Sequence, residues 1–406
     1  MKRFKLITLL GIRPDIIRMF KLIKLLDENQ KRYGYTHVFA HTGQHFDYEL
    51  DGVFYEQLNV RQPDINLGVG KTLKERGGPV THAYQTALLF ERTEEMIEKE
   101  KPDAVMYLGD TNSVVSSFIV VRNNIPVIHI EAGGRSFDWR MPEEKCRKLI
   151  DHISDALYCY LPRYREILLR EGIAPYRITV VGNIIEDALK MFVPHADKTN
   201  IVSKLGIEVK KFVAVTLHRE ENTSTKEALE PKIRDLIKLS KEFPIVFPLM
   251  PRVRANLEKF GLLADVEASN IITTKPLGFF EFLKLEKEAR VIISDSGTVQ
   301  EEALVLGTPC LIARRSTERP ETIEAGATIL AENNLYENAK KAIEMPIDWD
   351  RNILNPYSTS PSDVIFNDIM RKIKSGFFDH SRQFEMVGND MFAQQAYGRI
   401  PGARIV

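Results

Sequence analysis

Acidic and basic side chains gather where apolar runs end. Glu131 directly follows the apolar run Val127-Ile128-His129-Ile130, and Ala132-Gly133-Gly134 lets the chain turn at once. Arg135 and Arg140 then bracket two aromatics, and Pro142 precedes Glu143 and Glu144. Proline fits the first turn of a helix, where its missing N–H is no loss. The stretch therefore runs from the C-terminal end of a strand to the N-terminus of a helix, the place where open α/β sheets bind ligands. Carboxylates and guanidinium groups on one loop suit acid–base work on an anionic substrate. The plainer alternative is a solvated loop with Glu143–Arg147 and Glu144–Lys148 pairs at i,i+4 spacing. Asp110 repeats the pattern after Ala104-Val105-Met106-Tyr107-Leu108 and reads as an active-site acid or as a helix N-cap.

Other strand ends carry groups for holding anions. Gly11-Ile12-Arg13-Pro14-Asp15 turns from a first strand into a helix, and Arg13 and Arg18 stand near its positive end, where a phosphate is held by both dipole and charge. The stretch His41-Thr42-Gly43-Gln44-His45 reads as a polar, substrate-facing loop rather than a metal site. Residues 67–80, rich in glycine, lysine and arginine, read as a mobile loop: a lid, part of a phosphate site, or a surface connection. Gln85 lies on the first turns of the helix that follows. In the second half, a strand over 212–217 delivers His218-Arg219-Glu220-Glu221-Asn222. Another, Val291-Ile292-Ile293-Ser294, leads into Asp295-Ser296-Gly297-Thr298. Ser296 and Gly297 expose helix N–H groups to a diphosphate, and Thr298-x-x-Glu301 reads as a capping box. Glu302 is placed to accept two hydrogen bonds from a ribose diol, and Arg319 adds a possible phosphate ligand.

The elements that position these groups follow from hydrophobic periodicity. Strands and amphipathic helices alternate over residues 1–182 and again over 183–365, which predicts two Rossmann-like, doubly wound α/β domains facing a cleft. Residues 366–406 give a C-terminal helix and an irregular tail, either crossing back to the first domain or extended. The chain of 406 residues is long enough for both cores. Its 56 basic residues balance 56 acidic ones, which argues against a nucleic-acid binder. No apolar run reaches the length of a membrane span. The first residues read as a strand rather than a signal peptide. Three scattered cysteines form neither a metal pattern nor a disulfide framework, so a cytoplasmic setting is expected, with Cys159 and Cys310 in the core. No G-x-G-x-x-G fingerprint is present, so no dinucleotide cofactor is expected.

Taken in order, these motifs resemble those of the non-hydrolysing UDP-N-acetylglucosamine 2-epimerase family, over roughly residues 4–365. The marks are Gly-Ile-Arg-Pro-Asp at 11–15, Thr-Gly-Gln-His at 42–45, Gly-Asp-Thr-Asn at 109–112, His-Ile-Glu-Ala-Gly at 129–133 and Pro-Glu-Glu at 142–144. In the second half they are His-Arg-Glu-Glu-Asn at 218–222, Asp-Ser-Gly at 295–297 with Gln-Glu-Glu at 300–302, and Thr-Glu-Arg-Pro-Glu at 317–321. The resemblance implies a GT-B fold and inversion at C2 of a UDP-2-acetamido sugar, with no cofactor and no metal. UDP is eliminated to leave a glycal and then re-added after protonation from the opposite face. It implies Asp110, Glu131 and Glu143 as acid–base groups, with His218 near the departing diphosphate. Arg13, Ser296, Gly297 and Arg319 would hold phosphates, Phe282 would flank uracil and Glu302 would hold ribose. A homodimer is implied as well. Arg18 stands where the family commonly has lysine, Met250 where it has histidine, and Thr298 where it has a second glycine. The segment 133–140 looks more like relatives that act on 2,3-diacetamido uronic acids or 6-deoxy sugars of capsule and O-antigen synthesis, where Arg135 and Arg140 would meet a sugar carboxylate. A hydrolysing epimerase, a GT-B glycosyltransferase and a non-catalytic sensor remain alternatives.

Overall fold

The computed structural model of the protein describes residues 3–43, 60–77 and 81–379. Two compact units divide the chain. The first takes the residues up to Gly134, then Asp138–Ala188, and the chain from Asn355 onward. The second takes Arg135–Phe137 and Leu189–Leu354. The divisions thus fall after Ala188 and Leu354, against the expected 182 and 365, and the Pro361–Ser375 helix counts with the first unit.

The first unit holds a seven-stranded parallel sheet. Its strands are β1 (Phe4–Leu10), β2 (Tyr35–His41), β3 (Ile65–Asn66), β4 (Ala104–Leu108), β5 (Val127–Ile130), β6 (Ala156–Cys159) and β7 (Ile178–Val180), in the order β3-β2-β1-β4-β5-β6-β7. Unbroken apolar runs form these strands because helices cover both faces of a parallel sheet. All five residues of β4 are buried accordingly. Leu108 pairs with Ile130, so Gly109 and Glu131 leave the sheet side by side.

The second unit holds six parallel strands: β8 (Val213–Thr216), β9 (Ile245–Pro248), β10 (Ile271–Thr274), β11 (Val291–Ser294), β12 (Cys310–Ile312) and β13 (Thr328–Leu330). Their order is β10-β9-β8-β11-β12-β13. Thr216 pairs with Ser294, which brings the chains leading to His218 and Asp295 out together. In both sheets the strand order reverses beside the first strand, between β1 and β4 and between β8 and β11. That reversal opens a crevice at the carboxyl ends.

Two local expectations are corrected. The stretch read as a mobile loop is a helix over Val69–Arg76 as far as it is described. Val69 and Leu73, one turn apart, enter the first unit's core, and that narrow apolar stripe suffices for an edge helix. Gly68, in the left-handed conformation, and Gly77 mark its ends rather than a flexible connection. The capping box at Thr298 does not form. Ser296 is the N-cap of the Gly297–Leu306 helix, without a side-chain cap bond, and Glu301 is buried in an ion pair with Arg319. A carboxylate that satisfies a buried guanidinium is not available to reach back to its own helix N-terminus.

Candidate active site

Glu131 sits at the carboxyl end of β5 in a left-handed conformation, φ 75°. A non-glycine residue there stores about 1–3 kcal/mol of strain and persists only where its surroundings over-determine it. The surroundings are visible. The Glu131 and Ala132 N–H groups both donate to the Tyr158 carbonyl at 3.0 Å. Arg18 donates to the Glu131 carboxylate through Nη1 and to Asp15 through Nη2, the latter at 2.9 Å. The Tyr160 hydroxyl approaches Glu131 Oε2 at 3.5 Å. Arg18 was expected near a phosphate; its fork instead bridges two carboxylates. A lysine, the family's common residue, offers a point charge and not this planar fork. Asp15 is wholly buried, and that burial raises its pKa to about 6 despite the Arg18 charge.

Asp110 follows β4 by two residues and is no N-cap, since Thr111 caps the short helical turn that follows. Its carboxylate pairs with Arg147 Nε at 2.7 Å. Arg147 Nη1 reaches Glu144 at 2.5 Å, an i,i+3 pair in place of the expected i,i+4 ones, while Lys148 turns to Glu171. Arg147 and Glu144 are buried, so the Pro142–Ile153 helix is bound to the Asp110 loop and is not a solvated face. Glu143, half-buried, lies close enough to Cys146 for its charge, together with that of Asp110, to act on the thiol. Burial chiefly, then these two carboxylates, push Cys146 up to about 11, against the pull of Arg147. That disfavours the thiolate, the nucleophilic form, at neutral pH. Gln85 joins this group by accepting a hydrogen bond from Asn112 at 3.2 Å.

A buried bridge fixes the two loops. His129 Nε2 meets the Gly109 carbonyl at 2.8 Å, and Nδ1 meets Asp151 at 2.7 Å. A carbonyl only accepts, so Nε2 carries hydrogen. The other Asp151 oxygen accepts the Gly133 N–H at 3.1 Å. Gly133 has φ 82°, and a Cβ there would stand 2.6 Å from the Tyr164 carbonyl oxygen. Gly11 is required for a different reason: its Cβ would meet the Ser113 hydroxyl at 2.8 Å. From sequence Arg147 reads only as an i,i+4 partner of Glu143, and Asp151 is given no role. An acidic or basic residue inside an amphipathic helix gives no sign of which partner it will find.

In the second unit His218 is exposed at the end of β8, with Nδ1 3.0 Å from Asp295. Asp295 also accepts the backbone N–H groups of His218 and Arg219 and the Asn222 amide. Burial alone would raise its pKa; the hydrogen bond and charge of His218, with the Asn222 and Arg219 bonds, leave it lowered. A fixed carboxylate thus orients the imidazole and leaves its Nε2 for chemistry. At the start of the Gly297–Leu306 helix, Ser296 and Thr298 are half-buried and Gly297 is buried. A Cβ at Gly297 would lie 2.5 Å from Glu318 Oε1. Glu318 pairs with Arg314 at 3.0 Å, and Arg319 pairs with Glu301 at 2.5 Å. Both arginines are buried, so the N-terminal end of this helix is laced by ion pairs. Phe282 is half-buried against the core. Glu302 is buried beside Glu286. Arg140 is exposed and its fork meets Asp138 at 2.7 and 2.8 Å; Arg135 is buried. Gln44, His45 and the Arg13 side chain lie outside the described residues. Among the described residues no group of three or more His, Cys, Asp or Glu side chains is set to hold a metal ion, and no helix is long and apolar enough to cross a membrane.

Two doubly wound sheets with paired ionisable groups at their carboxyl ends define an α/β protein equipped with acid–base groups. Comparison with known proteins carries this further. The family model described as UDP-N-acetylglucosamine 2-epimerase matches residues 27–369. The chain belongs to that family and is an epimerase. It is 37% identical over 374 residues to the UDP-N-acetylglucosamine 2-epimerase of Methanococcus maripaludis, covering 90% of this chain and 98% of the relative. It is 34% identical over 354 residues to the UDP-2,3-diacetamido-2,3-dideoxy-D-glucuronate 2-epimerase of Pseudomonas aeruginosa, covering 85% and 94%. The crystal structure of the Methanocaldococcus jannaschii UDP-GlcNAc 2-epimerase, in complex with UDP-GlcNAc and UDP, superposes with a TM-score of 0.81 at 36% identity, covering 91% and 99%. The fold is of the GT-B type expected from the sequence.

Proposed function

We propose that this protein inverts C2 of a UDP-2-acetamido sugar without hydrolysis, using the carboxylates of the first unit for proton transfer and the second unit to hold UDP. The observation that carries the reading is the pairing of Glu131 and Asp110. They leave adjacent strands, and each is set against its own buried arginine, Arg18 and Arg147.

The chemistry explains the need for several carboxylates. A base takes the C2 proton, the C–H electrons form the C1=C2 bond, and the C1–O bond breaks toward UDP. The glycal then receives a proton at C2 from the opposite face while the diphosphate oxygen re-adds at C1. Inversion requires one group on each face, and Asp110, Glu131 and Glu143 supply them. The C2 proton is weakly acidic, so general acid–base help and stabilisation of the departing diphosphate both matter. Arg18 and Arg147 hold the Glu131 and Asp110 carboxylates in place by charge-assisted hydrogen bonds. His218, oriented by Asp295, stands beside the leaving diphosphate. Ser296, Gly297, Thr298 and Arg319 hold phosphate, Phe282 flanks uracil and Glu302 holds ribose, with Gln44, His45, Gln85 and Arg13 completing the sugar and phosphate contacts.

The sugar is N-acetylglucosamine, a 2,3-diacetamido uronic acid or a 6-deoxy relative, and Arg135 is the group that would meet a uronate. A cytoplasmic homodimer making surface-polysaccharide precursors completes the reading, and light scattering of the purified protein tests the assembly. The reaction is tested by incubating the protein with each UDP-sugar and separating the nucleotides. A manno-configured UDP-sugar without matching free UDP supports the proposal; stoichiometric UDP with free sugar would make the enzyme a hydrolysing one.

A further inference from the structure

Glu286 lies on the Phe279–Glu288 helix, inside the charged stretch Lys284-Leu285-Glu286-Lys287-Glu288. Its charged neighbours Lys284, Lys287 and Glu288 are half-buried and reach water. Glu286 does not: it is 1% exposed, and its Oε1 has no hydrogen-bond partner. Its side chain hydrogen-bonds Glu302, on the Gly297–Leu306 helix, which is 6% exposed. Among the described residues, Glu302 from that helix and the buried thiol of Cys310 at the start of β12 lie near Glu286. Lys284 and Lys287, from the same helix, are engaged instead with Asp197.

Two carboxyl groups can hydrogen-bond only if one brings a proton. The deeper group, with an oxygen lacking any donor, is the costlier one to ionise. The proton therefore belongs to Glu286, and the negative charge to Glu302. We propose that Glu286 is a positioning residue: its acid proton bridges to Glu302 and holds that carboxylate anionic and in one orientation for the two ribose hydroxyls of UDP. This rests on the reading of Glu302 as the ribose ligand. A carboxylate held in one orientation accepts hydrogen bonds from hydroxyls more strongly than a neutral acid does. Sequence alone hides this role, because Glu286 reads as part of a solvated charge run.

The test compares binding of UDP and 2′-deoxy-UDP by calorimetry in the parent and in Glu286→Gln, Glu286→Leu and Glu302→Gln. The parent prefers UDP. Glu286→Gln keeps a donor and retains that preference within about twofold, whereas Glu286→Leu lowers it about five- to tenfold, the scale of one lost hydrogen bond. Infrared difference spectra supply a readout that packing does not move: a protonated carboxylic acid band in the parent at neutral pH, shifted in deuterated water and absent from Glu286→Gln. A parent without that band, or a folded Glu286→Leu with an unchanged preference, overturns the proposal. If Glu302→Gln leaves the preference intact, the ribose reading itself is wrong and the proposal falls with it. A preference lost in Glu302→Gln but kept in Glu286→Leu leaves the ribose reading standing and removes Glu286 alone.

Discussion

Glu131 carries the sharpest constraint at the scale of single residues, because its backbone is strained and its carboxylate is held by a buried guanidinium. Glu131→Gln keeps the shape and removes the charge. Steady-state turnover should fall by about 10²-fold or more, the scale of a lost general acid or base; near-normal turnover would remove Glu131 from the mechanism. Asp15 yields a prediction about stability. Its pKa is raised from the usual 3.8 to about 6 by burial, so the folded state disfavours the ionised form. Its contribution is full below the unfolded pKa and is lost as pH rises through about 6. Asp15→Asn removes that dependence. Between pH 4 and pH 7 the parent should lose roughly 2–3 kcal/mol relative to the variant in urea unfolding, the linkage value of about two pKa units. A constant gap across that range would contradict the buried, proton-holding Asp15.

At the scale of elements, the loop between β5 and the Pro142–Ile153 helix depends on a glycine that no other residue replaces. Gly133→Ala places a Cβ against the Tyr164 carbonyl at a left-handed φ. It should cost about 1–3 kcal/mol, read as a lowered urea midpoint with an unchanged slope. An unchanged midpoint would show that the loop shifts freely. The loop's place in the fold was legible because apolar strands, a following glycine pair and a helix-opening proline are local signals. Its anchorage was not. His129 reads as one more polar residue in an apolar run, and only the fold reveals that it joins the Gly109 carbonyl to Asp151. The Val69–Arg76 helix was missed because two apolar residues among lysines and glycines resemble a loop until an adjacent core gives them a place. The Thr298 box failed for the converse reason: a good local match lost Glu301 to a tertiary partner, Arg319. Sequence thus located the strand ends and most of the groups on them, while partner choice among charges was decided by packing.

Across the whole molecule the proposed function divides the labour between the two units, and the division is testable by separating binding from turnover. Glu131→Gln should bind UDP with affinity close to the parent's, since that carboxylate lies in the first unit. Arg319→Ala should weaken UDP binding. It should also cost about 3–5 kcal/mol of stability by leaving Glu301 buried without its cation. Calorimetry on both variants, with thermal melts alongside, checks the pair. Equal UDP affinity in Arg319→Ala and the parent would refute its phosphate role.

The central claim is reversible proton exchange at C2 with UDP retained. The direct measurement is proton NMR of the enzyme with UDP-N-acetylglucosamine, and in parallel with the 2,3-diacetamido uronate, in deuterated water. The account predicts loss of the C2 proton signal through deuterium incorporation, together with new signals of a manno-configured UDP-sugar. Retention of the C2 proton in both sugars, or its exchange only with release of free sugar and UDP, would contradict it.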